Sequence, residues 1–317
     1  MDTLKNKKIL VFGSSGMVGQ SLIKKLKSVK VKIFYPASRN VNLLDMKKTS
    51  TYIKKIKPDL VINLAAYVGG ILANTKNPID FLNINNIISS NAINASYKNN
   101  IKYFINIACS CIYPLNCKRP IKEEYLLTGL PEPTNEGYAL AKINALKLCE
   151  YITKTNNKFN YITLVPANIY GPFDNFDDKT GHMVGSIIDK LMNAKKKRLK
   201  KISCWGTGKV FRELLYVDDM AESIIHFSKL LVSKKIKHTI INIGTGQKHL
   251  IADVVNILKD KILPNCKILY DKKKPSGMKN KVVDVKLAKK YGWKAKTNLD
   301  QGLQKTLNFA YKLYKNS

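Results

Sequence analysis

The chain has 317 residues, 45% of them hydrophobic and 24% charged, with 55 basic against 22 acidic residues and a formal net charge of +33. That apolar share excludes wholesale disorder, and at roughly 150 residues per domain the length suggests about two domains or one large one. The longest mostly apolar stretch, residues 61–73, is too short to cross a bilayer, and the polar run after Asp2 does not read as a secretory signal. A cytoplasmic protein without a membrane partner is expected.

In chain order, residues 8–12 read as a buried strand, followed by a glycine-rich turn and an amphipathic stretch over 21–26. Residues 31–35 read as a second strand and 59–64 as a third, after the Lys57-Pro58 break. The pattern then predicts a helix over 79–97, a strand over 103–108, a helix over 138–151 and a strand over 161–165. Strands alternating with helices imply right-handed βαβ units. The expected fold class is α/β, a Rossmann-type doubly wound parallel sheet. Past a loop at 171–181, rich in Asp, Asn and Gly, the character changes. A helix at 183–192, the basic run 195–201, a strand at 240–244, a helix at 251–259, a short strand at 267–270 and a helix at 303–314 follow. The division expected is a main domain over 1–169 and a smaller mixed α/β domain over 170–317, some segments of which return to the main sheet.

Only four basic residues are arginine (Arg39, Arg119, Arg198 and Arg212), and the rest are lysines spread along the whole chain among abundant Asn and Ile. That spread reads as compositional drift with Lys on solvated faces, so no specific nucleic-acid partner is expected. Where Lys is accepted nearly everywhere, an Arg marks a place that needs a planar two-pronged donor. The six cysteines (Cys109, Cys111, Cys117, Cys149, Cys204 and Cys266) form no disulfide framework and no CxxC pair. Reduced thiols and no metal site are expected.

Gly13-Ser14-Ser15-Gly16-Met17-Val18-Gly19 follows the first strand and opens a helix. Glycines there permit a tight turn and close backbone approach, and the helix N-terminus receives a pyrophosphate. An NAD site usually ends its second strand in a carboxylate, whereas NADP needs a cation. Here Ser38 and Arg39 follow Tyr35-Pro36-Ala37 with no acid, which points to NADP(H) and makes 1–169 an NADP-binding domain. Asp45 is a candidate partner for the adenine. Tyr138-Ala139-Leu140-Ala141-Lys142 puts a phenol and an ammonium on one helix face. The cation can lower the phenol pKa and make Tyr138 a workable acid.

With that spacing the chain resembles the extended short-chain dehydrogenase/reductases. Asn63-Leu64-Ala65-Ala66-Tyr67-Val68-Gly69-Gly70, Ser110-Cys111-Ile112-Tyr113-Pro114, Glu132-Pro133-Thr134-Asn135-Glu136 and Asn168-Ile169-Tyr170-Gly171-Pro172-Phe173-Asp174-Asn175-Phe176 narrow it further. With Trp205-Gly206-Thr207-Gly208, Arg212-Glu213-Leu214-Leu215-Tyr216-Val217-Asp218-Asp219 and Ile241-Asn242-Ile243-Gly244-Thr245-Gly246, they resemble the GDP-L-fucose synthase family. The resemblance runs over nearly the whole chain, in order. It implies an NADPH-dependent cytoplasmic homodimer that epimerises GDP-4-keto-6-deoxy-D-mannose at C3 and C5 and then reduces C4.

By that resemblance Tyr138 protonates the C4 oxygen, while Lys142 holds the cofactor ribose and tunes Tyr138. Cys111 and His182 form the epimerisation acid/base pair, and Lys190, Trp205 and Arg212 contact the nucleotide sugar. Dinucleotide contacts are implied for Ala65, Ala66, Ile107, Ala108, Pro166, Asn168, Ile169 and His182. Three positions depart from the family pattern. Cys109 replaces the catalytic serine, and a thiol is a weaker donor; Gly137 and Gly185 stand where Pro is usual and are expected to loosen the site. The rivals are a related enzyme acting on another GDP-4-keto-deoxysugar or heptose, and a non-catalytic Rossmann protein that senses NADP or binds nucleic acid.

Overall fold

The structure, a computed structural model, describes residues 3–178, 180–274 and 277–315. Its centre is a six-stranded sheet built from β1 (Lys8–Phe12), β2 (Lys32–Phe34), β3 (Leu60–Asn63), β4 (Tyr103–Ile107), β5 (Asn160–Pro166) and one later strand. The spatial order is β2-β1-β3-β4-β5 and then the strand Ile240–Ile243, every pairing parallel. Beyond the first residues of β1 and β5 (Lys8 and Asn160), strands β1, β3 and β5 are buried, as unbroken apolar runs require when both faces of a parallel sheet are covered.

The crossovers are α1 (Met17–Leu26), α2 (Met46–Ile56), α3 (Ile71–Lys76), α4 (Pro78–Lys98) and α5 (Glu136–Thr155). Chain order reverses between β1 and β3, and that reversal opens a crevice beyond the carboxyl ends of the strands. Helix α2 was not read from the sequence. It buries only Thr49 and Ile53, so its apolar stripe is narrow; capping by Asp45 defines its start.

The remaining elements are β6 (Asn168–Tyr170), α6 (Met183–Lys196), β7 (Lys201–Trp205), β8 (Phe211–Arg212), β9 (Leu214–Tyr216), α7 (Val217–Val232), β10 (Ile240–Ile243), β11 (His249–Leu250), α8 (Ile251–Ile262), β12 (Lys267–Asp271), β13 (Asn280–Lys281), α9 (Lys286–Lys290) and α10 (Leu299–Lys315). Strand β10 is the sheet's sixth strand, and α7 packs on α1, so the later sequence does return to the first half. A separate apolar cluster gathers Tyr170, Val184, Ile188, Leu191, Val254, Leu258, Leu303 and Leu307 from α6, α8, α10 and the strands around them. Three small sheets, β11-β8-β13, β12-β7 and β6-β9, lie outside the main sheet. Among the described residues no helix is long and apolar enough to cross a membrane.

Candidate active site

The glycine-rich turn is built for close approach. Gly13 has φ +78°, and a Cβ there would lie 2.5 Å from the backbone nitrogen of Ala65; a Cβ on Gly19 would meet the Gly13 carbonyl oxygen at 2.3 Å. Both positions therefore exclude other residues, and they hold α1 tight against β1 and the chain leaving β3. Gly16 is the N-cap of α1 without a side-chain cap, so the first N–H groups of the helix face the crevice. Met17 and Val18 anchor the turn in the cores, and the exposed Ser15 accepts a 2.9 Å bond from Gln20 through its carbonyl. A cradle that a Cβ would fill, with Ser14 between two such contacts, fits a dinucleotide pyrophosphate.

Ser38 and Arg39 lie exposed in the turn after β2, closed by N–H donation from Asn40 and Val41 to the Ala37 carbonyl. Asp45 has another task. Its Oδ1 accepts the Lys48 N–H at 3.0 Å as the N-cap of α2, a bond that pulls its pKa down. Ala65 and Ala66 follow β3, Ile107 and Ala108 end β4, and Pro166, Asn168 and Ile169 lie at the end of β5 and in β6. All flank the crevice at the carboxyl edge.

Tyr138 and Lys142 rise from the first turns of α5. The Lys142 Nζ lies 5.5 Å from the Tyr138 ring centre and donates a 3.2 Å hydrogen bond to the Ile107 carbonyl. Burial holds the Lys142 pKa down, to about 8, and pushes the Tyr138 phenol well above its usual value. The Tyr138–Lys142 spacing alone points to a phenol lowered by Lys142. In the protein alone desolvation dominates, and it acts on both groups against their charged forms.

Helix α5 packs on a 3₁₀ turn, Ser110–Ile112, that carries Cys111 and follows Cys109. Here one expectation is corrected. Four thiols are free, but Cys109 and Cys111 are joined as a disulfide, with Cα atoms 5.4 Å apart. The tight turn brings the two side chains together across one intervening residue. Ser110 itself is buried. Among the described residues no group of His, Cys, Asp or Glu could hold a metal ion.

His182 is the N-cap of α6 and is half-exposed. Its Nδ1 lies 3.4 Å from Oδ1 of Asp174, a residue given no role from sequence, which raises the imidazole pKa. A chain of contacts connects this histidine to Tyr138. Its neighbour Gly181 presents a carbonyl 3.3 Å from where a Gly70 Cβ would stand, Gly69 is packed on Phe81, and the Phe81 ring meets the Tyr138 ring edge-on at 6.3 Å. The departures Gly137 and Gly185 do not loosen anything. A Cβ on Gly137 would lie 2.6 Å from the Pro78 carbonyl oxygen, and one on Gly185 would lie 2.6 Å from that of Asn175. Both are close-packing glycines.

Lys190 and Trp205 are brought together: the Lys190 Nζ is 5.7 Å from the Trp205 ring centre and donates to the Ser203 carbonyl at 3.0 Å. Arg212 extends from β8 and donates through Nη1 to the Phe211 and Met278 carbonyls. Lys281, on the adjacent β13, and the buried Glu132 share its electrostatic environment. Burial and the Arg212 charge bring the Lys281 pKa down to about 8. Two cations stand against one carboxylate there, a local excess of positive charge. Lys281 could not be picked out from sequence, because nothing local distinguishes it from the other lysines. Glu213, beside Arg212, has a structural task, accepting the N–H groups of Gly246 and Val283 at 2.6 and 2.8 Å.

Residues 9–244 match the NAD dependent epimerase/dehydratase family. The chain belongs to this family. It is 37% identical over 306 residues to GDP-L-colitose synthase of Yersinia pseudotuberculosis, covering 95% of this chain and 97% of that one. It is equally 37% identical to GDP-L-fucose synthase of Sinorhizobium fredii, over 96% of each chain. Among solved structures it resembles the GDP-mannoheptose C4 reductase MlghC of Campylobacter jejuni with NADP bound, with a TM-score of 0.86 and 28% identity over 98% of this chain and 99% of that one. As a member of the epimerase/dehydratase family, within the GDP-sugar epimerase/reductase group, the protein is an oxidoreductase with epimerase activity, as its resemblance implied. The non-catalytic alternative is set aside.

Proposed function

We propose that this enzyme converts GDP-4-keto-6-deoxy-D-mannose to GDP-L-fucose by epimerisation at C3 and C5 and reduction at C4. The observation that carries the reading is the convergence of two chemistries on one crevice. Tyr138 and Lys142 on α5 serve reduction, while Cys111 and His182, on the turn and loop beside them, serve epimerisation. The cofactor is NADP(H), which supplies hydride to C4 when bound. The glycine cradle of Gly13 and Gly19 and the acid-free turn at Ser38 and Arg39 support that choice.

Protons next to a ketone are acidic enough for side-chain bases. Cys111 removes a proton as a thiol, so this step requires that a thiol reductant first reduce the Cys109–Cys111 disulfide, which takes up two electrons and two protons. His182, whose pKa Asp174 raises, returns a proton from the other side. Tyr138 protonates the C4 oxygen and Lys142 orients the sugar of the dinucleotide. Lys190 and Trp205 hold the nucleotide, and Arg212 with Lys281 holds its diphosphate. Two copies pair through α4 and α5, which pack together and leave Ile79, Ile87, Leu140 and Tyr151 exposed.

The equal likeness to GDP-L-colitose synthase favours a second reading, in which the same site takes another GDP-4-keto-deoxysugar. Incubation with NADPH and a panel of GDP-4-keto sugars, with products identified by NMR, separates the two. GDP-L-fucose as the main product supports the first reading; turnover of only another sugar replaces it with the second.

A further inference from the structure

We propose that Asp174 is the positioning residue for His182, fixing its ring and keeping it a proton donor; this rests on the reading that His182 serves epimerisation. The Asp174 side chain is only 3% exposed against 50% for His182. The carboxylate thus holds the inner ring nitrogen, Nδ1, and leaves Nε2 as the nitrogen available to exchange a proton. Which nitrogen exchanges matters, because a hydrogen bond at one fixes the tautomer and orientation of the other.

The carboxylate is itself held still. Oδ1 accepts the Asn175 N–H at 2.8 Å, and the Asp174 N–H donates to the Gly171 carbonyl at 3.3 Å. Asn175 donates to Thr180 Oγ1 at 2.9 Å, and Thr180 donates in turn to Asp177 at 2.7 Å. Phe173 and Phe176, flanking Asp174, rest on Phe309 of α10 at ring distances of 4.6 and 6.2 Å. Gly185 has a place in the same arrangement. A Cβ there would press on Asn175 and stand 3.4 Å from Asp174 Oδ2, so glycine lets the loop seat its carboxylate against α6.

An opposing force makes this partner necessary. His182 caps the N-terminus of a 14-residue helix, where the macrodipole disfavours a cation. Asp174 offsets it through its hydrogen bond and its charge, and the ring's pKa rises despite partial desolvation. Of the other described acids on the loop, Asp177 accepts from Thr180, and only the backbone carbonyl of Asp178 is engaged, by Ser186. Lys179 lies outside the described residues.

The test is Asp174→Asn, which keeps the shape and the acceptor for Asn175 but not the charge. With a dithiol present, entry of solvent deuterium at C3 and C5 is followed by NMR across pH, beside wild type, Asp174→Glu and His182→Asn. A donor works in its protonated form, so the rate falls as pH rises through the histidine pKa. Asp174→Asn should slow exchange at least tenfold at neutral pH and move that alkaline limb down by about one pH unit. Asp174→Glu should restore part of both, and the melting temperature and NADPH affinity should stay near wild type. A limb that does not move, or a loss of exchange matched by equal losses of NADPH affinity and melting temperature, overturns the inference and makes Asp174 a loop brace. Undiminished exchange in His182→Asn overturns the reading beneath it, and the inference with it.

Discussion

Lys142 is poised between the face of Tyr138, 5.5 Å from its ring centre, and the carbonyl of Ile107, 3.2 Å away. Its ammonium is buried, with a pKa brought down to about 8. An unfolded lysine keeps its proton to about 10.4, so between those values the unfolded chain binds more protons and stability rises with pH. Below pH 8 the cost of burying the charge is present in full, on the order of 3 kcal/mol at about 1.4 kcal/mol per unit. Losing the bond to Ile107, made by a charged donor at pH 7, costs about 1.5–3 kcal/mol, less than the burial cost relieved. Lys142→Met should therefore melt above wild type at pH 7, with the advantage nearly gone at pH 10, while hydride transfer is abolished. Calorimetry at the two pH values decides; a variant that melts below wild type at pH 7 contradicts the argument.

Cofactor choice rests on the turn after β2. NADPH should bind at least tenfold more tightly than NADH, about 1.4 kcal/mol, and Arg39→Ala should narrow the gap by weakening NADPH alone. Fluorescence titration of both cofactors measures it. Equal affinities in the wild type would remove Arg39 from the site.

On the proposed reading, Cys109 stands where a hydroxyl would share the carbonyl oxygen with Tyr138. Donors there strengthen as negative charge develops, so a thiol penalises the hydride step more than binding. The loss is on the order of 1–2 kcal/mol. Cys109→Ala and Cys109→Ser both remove the pairing with Cys111, and only the second adds a hydroxyl. Single-turnover oxidation of NADPH, with a dithiol present throughout, should be faster in Cys109→Ser than in either wild type or Cys109→Ala. No gain would mean that buried Ser110 already fills the role.

Gly137 is a packing position. Alanine favours a helix over glycine by up to about 1 kcal/mol, but its Cβ would stand 2.6 Å from a backbone carbonyl that cannot swing away. Overpacking of that kind costs about 1–3 kcal/mol, so Gly137→Ala should lower the urea midpoint. It should also slow reduction by shifting the start of α5 under Tyr138. A higher midpoint would show that α4 yields there.

What was legible in the sequence depended on how local the signal was. The strand, glycine turn and helix from Lys8 to Leu26 announce themselves in consecutive residues, as do Tyr138 and Lys142 within one helical turn. Helix α7 is equally legible: Asp218 and Asp219 open it, and Met220, Ala221, Ile224, Phe227 and Leu231 form its buried stripe. Helix α2 is not, because lysines surround its two buried residues. At the site, the bond between Asp174 and His182 spans eight residues of irregular loop, and the nearness of Lys281 to Arg212 spans 69 residues and a strand pairing. No periodicity encodes either. The Gly137 and Gly185 departures looked like looseness, because sequence shows a missing side chain and not the backbone that takes its place.

The division of labour within one crevice is tested most directly by Tyr138→Phe in deuterated water with a dithiol, NADPH and GDP-4-keto-6-deoxy-D-mannose. The measurement is deuterium at C3 and C5 by NMR, together with NADPH absorbance in the same tube. The account predicts deuterium entering the sugar at near the wild-type rate while NADPH stays unoxidised, and loss of that exchange when Cys111→Ala is added. Exchange that stops along with reduction in Tyr138→Phe alone, or that persists unchanged without the Cys111 thiol, contradicts it.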